Sequence, residues 1–283
     1  MKKSVFSELY YKVFRSGNPL FLFIGINVLI FILINLFAAG GYLFSGHTAA
    51  AGWLTRQLSM PAYLPELPFK FWTIITYMFT QREFFHILFN MLWVYWMGII
   101  FLDFLNKRQF IFTYLAGGLM GALFYLLAYN LLPVFNEIVQ NSFILGSSAS
   151  VMAIVAATAT LVPDFSIRLL LFGTVRLKYL ALAYFILDII SMGGGNPGGS
   201  IAHIGGALLG FIYIKQVQMG RDLSDILKKR SKLKVVKNTN ANPVNSGSTD
   251  QDTIDRILDK ISKSGYESLN KTEKEQLFKA SKK

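Results

Sequence analysis

Six apolar runs dominate residues 19–217, and they constrain the fold more than any other feature of this chain. They cover about residues 19–37, 84–104, 110–131, 147–162, 179–192 and 200–217. About 20 apolar residues in a helix cross the hydrocarbon core of a bilayer. Backbone groups in lipid must be hydrogen-bonded within their own segment, which favours helices. The runs therefore predict an all-α, polytopic membrane protein with six transmembrane helices, called spans 1 to 6 here.

The composition supports a membrane protein and excludes several other classes. The chain is 53% hydrophobic and only 16% charged, against about 25% charged residues in soluble domains. Cysteine is absent, which excludes disulfides and thiolate metal sites. The formal net charge of +12 could indicate nucleic-acid binding, but membrane topology explains the basic loops more simply. We therefore expect no nucleic-acid partner and no cofactor.

The distribution of basic residues predicts the orientation of the spans. Lys and Arg occur before span 1, in the loops that follow spans 2 and 4, and after span 6, whereas residues 133–146 and 193–199 contain none. By the positive-inside rule both termini are cytoplasmic, although Arg56, Lys70 and Arg82 in the long first loop point the other way. The size and simplicity of the chain favour a bacterial inner membrane.

The loop at 38–83 is expected to lie outside the spans. It mixes aromatic residues with Pro, Gly and a few charges, a composition that suits a segment half embedded in the outer membrane interface. A second glycine-rich loop, at 193–199, follows the short span 5. It predicts a mobile lid, or alternatively a flexible connection.

Polar residues near the starts of spans 2, 4 and 6 form the most informative functional pattern. His86, Ser148 and His203 each lie within about the first turn of a span that enters the membrane from the outside. They are therefore expected at one depth. Ionisable groups in lipid are costly and usually functional. A hydroxyl, a base and further donors in one layer predict a hydrolytic site.

Ser148 and His203 are the candidate nucleophile and general base. An oxyanion beside Ser148 would be stabilised by the unpaired N–H groups at a helix start, and Gly146 allows close approach. Small residues Gly206 and Gly210 lie on the helix face of His203 and would allow span 6 to pack tightly on span 4. The alternatives are that Ser147 or Ser148 caps a helix and that His203 is structural.

His86 and Asn90 are candidate oxyanion donors, because residues four apart share a helix face. They could instead form a hydrogen-bonded pair between helices. A metal site is disfavoured, because no carboxylate in the sequence is placed to complete one with either histidine. Asp188 is the nearest intramembrane acid to His203, and we expect it to have a structural hydrogen-bonding role.

Five sequence motifs occur in order between about residues 19 and 217. They are Phe71-Trp72, His86-x-x-x-Asn90, Gly117-Gly118 with Gly121, Gly146-x-Ser148, and Ala202-His203-x-x-Gly206-x-x-x-Gly210. Together with the predicted topology, they resemble the rhomboid family of intramembrane serine proteases. Three positions depart from the usual pattern of that family: Ala149, Met152 and Thr73.

The resemblance implies roles for these residues. Ser148 would be the nucleophile and His203 the base, without a third acid. His86, Asn90 and the backbone N–H of Ser148 would bind the oxyanion. The substrates would be transmembrane segments of other membrane proteins, cleaved near the extracytoplasmic face. The alternatives are a catalytically silent rhomboid-like protein that binds membrane clients, and a transporter or channel, which the apolar lower parts of spans 4 and 6 disfavour.

The predicted domains are a cytoplasmic N-terminus (1–18), the six-helix protease domain (19–217), a basic and polar linker (218–251) and a cytoplasmic helical hairpin (252–283). Basic residues at 228–237 would attract anionic lipid. In the hairpin, a first helix is predicted to stop at Gly265, and Thr272 and Glu275 match a capping box for the second. The hairpin is too small to bury much of a core alone, so we expect it to contact a protein partner, a second copy or the membrane.

Overall fold

The computed structural model describes residues 4–169, 173–228 and 248–281. The chain divides into two compact units, Met1–Lys229 and Arg230–Lys283. In the first unit, the helices are α1 (Val5–Tyr10), α2 (Pro19–Ser45), α3 (Ala49–Leu58), α4 (Thr73–Thr76), α5 (Phe84–Phe104), α6 (Lys107–Leu131), α7 (Ser148–Leu161), α8 (Leu177–Ser191) and α9 (Pro197–Gln218).

The prediction of a polytopic helical membrane protein is confirmed. Among the described residues, α2, α5, α6 and α9 are long and apolar enough to cross a membrane, and α7 is a shorter apolar helix. Spans 2 to 6 correspond to α5 to α9, and their predicted ends differ from the observed ends by no more than a few residues. Helices α7 and α8 have 14 and 15 residues, fewer than the roughly 20 that a full crossing needs.

The predicted end of span 1 is wrong. Helix α2 continues past residue 37 to Ser45 and ends where Gly46 adopts a left-handed conformation, with φ +72°. The residues after 37 are mostly small or apolar, so nothing in them interrupts the helix before that glycine. The first loop therefore begins about two helical turns later than the sequence indicated.

The rest of the first loop is ordered. Helix α3 is followed by strand β1 (Met60–Pro61), a 3₁₀ segment (Leu64–Lys70) and α4. Strand β1 pairs antiparallel with β2 (Phe143–Ile144). The indole Nε1 of Trp72 donates to the carbonyl of Gln57 at 2.8 Å. Several large apolar side chains of this loop are exposed, among them Trp53, Leu64, Phe69, Phe71 and Trp72. Contact of the loop with the membrane interface stays a prediction.

The loop between α7 and α8 forms a small hairpin that nothing in the sequence pattern had indicated. Strands β3 (Ser166–Leu169) and β4 (Gly173–Arg176) pair antiparallel, with Ser166 opposite Arg176. At its base, Asp164 accepts hydrogen bonds from Lys178 at 2.7 Å and from Arg176 at 3.2 Å. Hydrogen bonding and charge attraction from Lys178 lower the pKa of Asp164, with a smaller contribution from Arg176.

The core of the first unit is built where α6, α7 and α9 pack backbone to backbone. A Cβ atom on Gly206 would overlap the carbonyl oxygen of Ala149, and one on Gly210 would overlap that of Ala153. The predicted small-residue contact between spans 4 and 6 is thereby confirmed. The methyl group of Ala149 faces Gly121 of α6, where an added Cβ would lie 2.5 Å away. Gly121 therefore makes room for the methyl group of Ala149.

At the opposite end of the bundle from Ser148, a polar cluster joins α6 to the segment after α9. Arg108 bonds Asp222 at 3.0 Å and Asp225 at 2.6 Å, and Tyr213 donates to Asp222 at 2.9 Å. Burial alone would raise the pKa of Asp222, but hydrogen bonds from Ser224, Tyr213 and Arg108 outweigh it and lower that pKa.

The second unit contains α10 (Ser248–Ser264) and α11 (Lys271–Ala280). The predicted stop at Gly265 is confirmed, since its N–H donates to the carbonyl of Ile261 at 2.8 Å. The predicted capping box is misplaced by two residues: Asn270 and Glu273 exchange the capping hydrogen bonds at 2.8 Å. Asn is at least as good an N-cap residue as Thr, and Asn270 precedes Thr272 in the sequence, so the helix begins earlier than predicted.

The linker predicted for 218–251 is wrong at its end, because α10 begins at Ser248. Its beginning includes a described 3₁₀ segment, Leu223–Leu227. Most of the basic cluster at 228–237, and the remainder of the predicted linker, lie outside the described residues. In this unit, Ile257 of α10 and Leu269 of the connection are buried, and Lys260 of α10 binds Glu273 of α11 at 2.9 Å.

Candidate active site

One cavity of about 360 Å³ opens at the starts of α5, α7 and α9. Ser148, His86 and His203 all line it. Three of the four predicted site side chains are therefore brought together at one level of the bundle. The other lining residues come from the segment before α5, from α6, from β2 with its flanks and from the start of α9: Arg82, Glu83, Tyr125, Tyr129, Phe143, Ile144, Leu145, Asn196, Gly198 and Gly199.

Ser148 is the first residue of α7, and Ser147 occupies the N-cap position. The Ser147 side chain makes no capping hydrogen bond; its Oγ instead accepts from Nε2 of Gln81 at 3.1 Å. The capping alternative is therefore wrong for Ser147. With Ser148 at N1, its hydroxyl lies among the helix-start N–H groups that have no partner within the helix.

Gly146 holds the hydroxyl and one imidazole side by side. It has φ +120°, a conformation that favours glycine, and its N–H donates to the carbonyl of Tyr77 at 2.9 Å. A Cβ atom added to Gly146 would lie 3.3 Å from Nε2 of His86 and 3.7 Å from Oγ of Ser148. Both groups therefore face the same small space, which any side chain at 146 would fill.

His203 lies on α9 and is paired with an acid. Its Nδ1 is 2.6 Å from Oδ1 of Asp188, near the end of α8, and the two side chains are 14% and 9% exposed. The expectation that no carboxylate stands beside the histidine is wrong. The short connection from Ser191 to Pro197 folds the end of α8 back against the start of α9. The sequence signal was present, since Asp188 is a carboxylate within an apolar run.

No hydrogen bond joins Ser148 to His203 within the described part of the chain. In sites without substrate such bonds are often long and tighten only in the complex. Met152, one turn after Ser148 on α7, is buried at 1% exposure.

Asn90 lies behind the cavity wall. It is 4% exposed, and its Nδ2 donates to Oε1 of Gln81 at 2.8 Å. Gln81 in turn donates to Oδ1 of Asn27 at 2.8 Å as well as to Ser147. Asn27 donates to the hydroxyl of Tyr114 at 3.0 Å. A buried polar network thus links the predicted oxyanion residue to the N-cap of α7.

Gln81 and Asn27 were not identified from the sequence as site residues. Asn27 gave a usable signal, because it is an amide in the middle of a long apolar run. Gln81 gave less, since it lies among polar residues just before α5. Only the fold shows that this side chain is fully buried and bonded to three others.

The glycine-rich loop is shorter than predicted. Gly198 and Gly199 belong to α9 and are buried. A Cβ on Gly198 would come within 2.8 Å of Tyr125 and 2.9 Å of Tyr129, so this glycine serves helix packing. The connection between α8 and α9 is a 3₁₀ turn, Met192–Gly194, followed by Gly195 with φ +115°.

Helix α8 is only lightly packed beside the cavity. Leu177 at its start is its only residue classed as buried among those described. On its face towards α5, Tyr184 stacks on Trp93 with ring centroids 4.7 Å apart and planes 4° apart. One aromatic pair thus bridges the two helices.

Comparison with known proteins identifies the family. Residues 68–218 match the Rhomboid domain, so this chain belongs to the rhomboid family, as the sequence motifs indicated. Residues 247–283 match a family of unknown function, DUF6576. The chain is 30% identical over 159 residues to RHOMBOID-like protein 12, mitochondrial, of Arabidopsis thaliana, a match over 53% of this chain and 47% of that protein.

Proposed function

We propose that this protein is an intramembrane serine endopeptidase in which Ser148 is the nucleophile and His203 the general base. The observation that carries the proposal is the shared cavity at the starts of α5, α7 and α9, where Ser148, His203 and His86 meet. Membership of the rhomboid family, which includes serine proteases, supports it.

The chemistry follows from the positions of these groups. His203 takes the proton of the Ser148 hydroxyl as Oγ attacks the scissile carbonyl carbon, and the carbonyl π electrons move to oxygen. Collapse of this intermediate breaks the C–N bond, and His203 gives its proton to the leaving amine. Water then attacks the acyl-enzyme with the same base, which releases the acid and restores the Ser148 hydroxyl.

His86, Asn90 and the backbone N–H of Ser148 would stabilise the oxyanion. His86 lines the cavity beside Ser148. Asn90 gives one amide hydrogen to Gln81 and keeps a second donor, which would have to reach the oxyanion from behind the cavity wall. Gln81 then holds the orientation of Asn90.

The proposed substrates are transmembrane segments of other membrane proteins, cut near the extracytoplasmic face. Both termini would be cytoplasmic, in a bacterial inner membrane. A helix hides its peptide bonds, so helix-breaking residues near the cut should favour cleavage. The C-terminal unit would contact anionic lipid or a protein.

Cleavage of a tagged transmembrane reporter in liposomes tests the proposal. Wild-type protein should cleave it, and both Ser148→Ala and His203→Ala should lose cleavage while retaining the unfolding transition of the wild type. Ser150→Ala is a matched control on the same helix and should retain cleavage. Equal cleavage by all four proteins would overturn the roles of Ser148 and His203.

The second candidate is a catalytically silent rhomboid-like protein that binds membrane clients. This candidate rests on the similarity to RHOMBOID-like protein 12. It predicts that wild type and Ser148→Ala cross-link equally to a photoreactive transmembrane peptide and that neither cleaves it. Cleavage by the wild type alone would exclude it.

A further inference from the structure

We propose that Asp188 is a positioning residue of this site, which orients His203 and balances the positive charge that His203 acquires during the reaction. The inference deepens the proposed function and rests on it. It adds a third group to the two that the sequence motifs imply.

The geometry of the pair is that of a charge-assisted hydrogen bond. Oδ1 of Asp188 is 2.6 Å from Nδ1 of His203, and both side chains are largely buried. Bonds between a nitrogen donor and a carboxylate are shorter and stronger than those between neutral groups. The opposite ring nitrogen, Nε2, is the one left to face the cavity that Ser148 lines.

This contact selects the tautomer that a general base requires. A carboxylate only accepts hydrogen bonds, so neutral His203 must carry its proton on Nδ1. Nε2 then has a free lone pair for the Ser148 proton. With no acceptor at Nδ1, the proton could occupy Nε2 instead, and the imidazole could not act as a base towards Ser148.

The charges point in the same direction. In the described part of the chain, His203 is the only ion-pair partner of Asp188, and Oδ2 of Asp188 is buried without a hydrogen bond. A buried carboxylate without a cation is costly. Transfer of a proton to His203 creates that cation 2.6 Å away, so the transition state gains an interaction that the resting state has only in part.

A purely structural role explains the contact less well. Ser191 and Ser200 already donate to the backbone carbonyl of Asp188, at 2.7 Å and 3.1 Å. These hydroxyl groups fasten the end of α8 without the carboxylate. The Ser200 hydroxyl also lies 3.4 Å from Oδ1, a distance at the limit for a hydrogen bond. The side chain of Asp188 is therefore committed mainly to the imidazole.

The test measures the reactivity of Ser148 directly. A small fluorophosphonate labels an activated serine and needs no transmembrane substrate to enter. Asp188→Asn keeps the shape of the side chain but removes its charge, and we expect labelling to slow by about 10²-fold, within the range that general base catalysis contributes. Asp188→Glu should restore part of the rate.

Ser191→Ala is the matched control, because it removes a hydrogen bond at the same residue of α8 but leaves the carboxylate. It should label at the wild-type rate, and all variants should show the wild-type unfolding transition. If Asp188→Asn labels as fast as the wild type, the proposal is overturned. If Ser191→Ala slows labelling equally, Asp188 is structural and the proposal also fails.

A second readout does not depend on activity. The chain has three histidines, so ¹⁵N NMR of histidine-labelled protein can be assigned with His47→Gln and His86→Gln. The neutral His203 ring should carry its proton on Nδ1 in the wild type and lose that preference in Asp188→Asn. A proton on Nε2 in the wild type would overturn the proposal, even if the protein cleaves nothing.

Failure of the proposed function is distinguishable from failure of this inference. A wild type that neither labels nor cleaves, but holds the Nδ1 proton through Asp188, would refute the protease and retain the Asp188–His203 pair. A wild type that labels and cleaves, with unchanged rates in Asp188→Asn, would support the protease and refute the role of Asp188. If Asp188→Asn does not fold, the labelling rate of Asp188→Glu and the tautomer of His203 in the wild type still test the proposal.

Discussion

Helices α7 and α8 both supply a residue of the candidate site, Ser148 from α7 and Asp188 from α8, yet they are packed very differently. Most residues of α7 are buried, and its backbone touches α9 directly through Gly206 and Gly210. Along α8, Leu177 is the only described residue classed as buried. Under the proposed function, this difference separates two needs of an intramembrane protease: a fixed nucleophile, and an element that can move to admit a long substrate.

Asp188 lies on the lightly packed helix, whereas Ser148 and His203 lie on the tightly packed ones. Under the proposals above, docking of α8 completes the orientation of His203, so access and reactivity depend on one element. Substitutions on the two sides should therefore have different signatures.

The largest effect is expected where α9 touches α7. Gly206→Val places a side chain against the Ala149 backbone, which cannot move as a side-chain end can. Overpacking of this kind costs about 3 kcal/mol or more in unfolding free energy, and Ser148 labelling should be lost with it. Chemical unfolding in detergent measures the change.

The matched control for that substitution is Gly40→Ala in α2, where an added Cβ meets nothing within 4 Å. A helical Gly to Ala change without a clash should be neutral or stabilise by up to about 1 kcal/mol. Equal destabilisation by both substitutions would show that the close contact between α7 and α9 is unimportant.

A cross-link between α5 and α8 should separate substrate access from serine reactivity. The chain has no cysteine, so Trp93→Cys with Tyr184→Cys introduces one defined pair where two rings now stack. Bridging the two thiols with a bifunctional methanethiosulfonate, which spans a longer gap than a direct disulfide, should abolish cleavage of a transmembrane reporter. Fluorophosphonate labelling should be nearly unchanged, because only the large substrate needs α8 to move.

Each single-cysteine variant is the control for the cross-link, and reductant should restore cleavage in the double variant. Unchanged cleavage after complete cross-linking would count against a gate between α5 and α8. Loss of labelling together with cleavage would mean that the cross-link distorts the site itself.

Gln81→Leu should have an intermediate effect on the tightly packed side. It leaves Asn90, Asn27 and Ser147 without the amide that bonds all three, and each buried unpaired group costs about 1–3 kcal/mol. We expect a loss of about 2 kcal/mol or more in stability and a roughly tenfold fall in kcat as Asn90 loses its orientation. Reporter kinetics measure the second effect.

Thr80→Ala is the control for Gln81→Leu, since Thr80 is also buried but its hydroxyl donates to the carbonyl of Thr76, in its own segment. A rise in KM for Gln81→Leu with kcat unchanged would show that Gln81 does not act on the oxyanion site.

The smallest effect is expected at Asp222, away from the cavity. Hydrogen bonds from Ser224, Tyr213 and Arg108 lower its pKa against the opposing effect of burial. Its contribution to stability is therefore present above the unfolded pKa, about 4, and is lost as pH falls through the lower folded value. Partial exposure limits that contribution to about 1 kcal/mol.

The thermal unfolding midpoint, followed from neutral to acidic pH, checks this expectation. Wild type should lose more stability on acidification than Asp222→Asn, which has no such carboxylate. Parallel curves for the two proteins would show that the Asp222 cluster contributes nothing to the pH dependence.

Much of the fold was readable from residue types. The apolar runs gave five of the six helices nearly to the residue, because lipid demands length and apolar character. The end of α2 was missed because the small residues after 37 interrupt the apolar run, whereas they continue the helix to Ser45. The capping box was missed by two residues because Asn270 and Thr272 are both acceptable caps.

For the site, the sequence alone determined the chemical groups. His86 and Ser148 lie in the first turn of α5 and α7, as predicted, whereas the prediction is wrong for His203, which lies about two turns after the start of α9. All three nevertheless line one cavity. Only the tertiary structure decided what those groups touch. The Asp188–His203 pair and the Gln81 network join residues far apart along the chain. Such contacts depend on how α8 folds back on α9 and how the segment before α5 enters the bundle, and no local pattern encodes either.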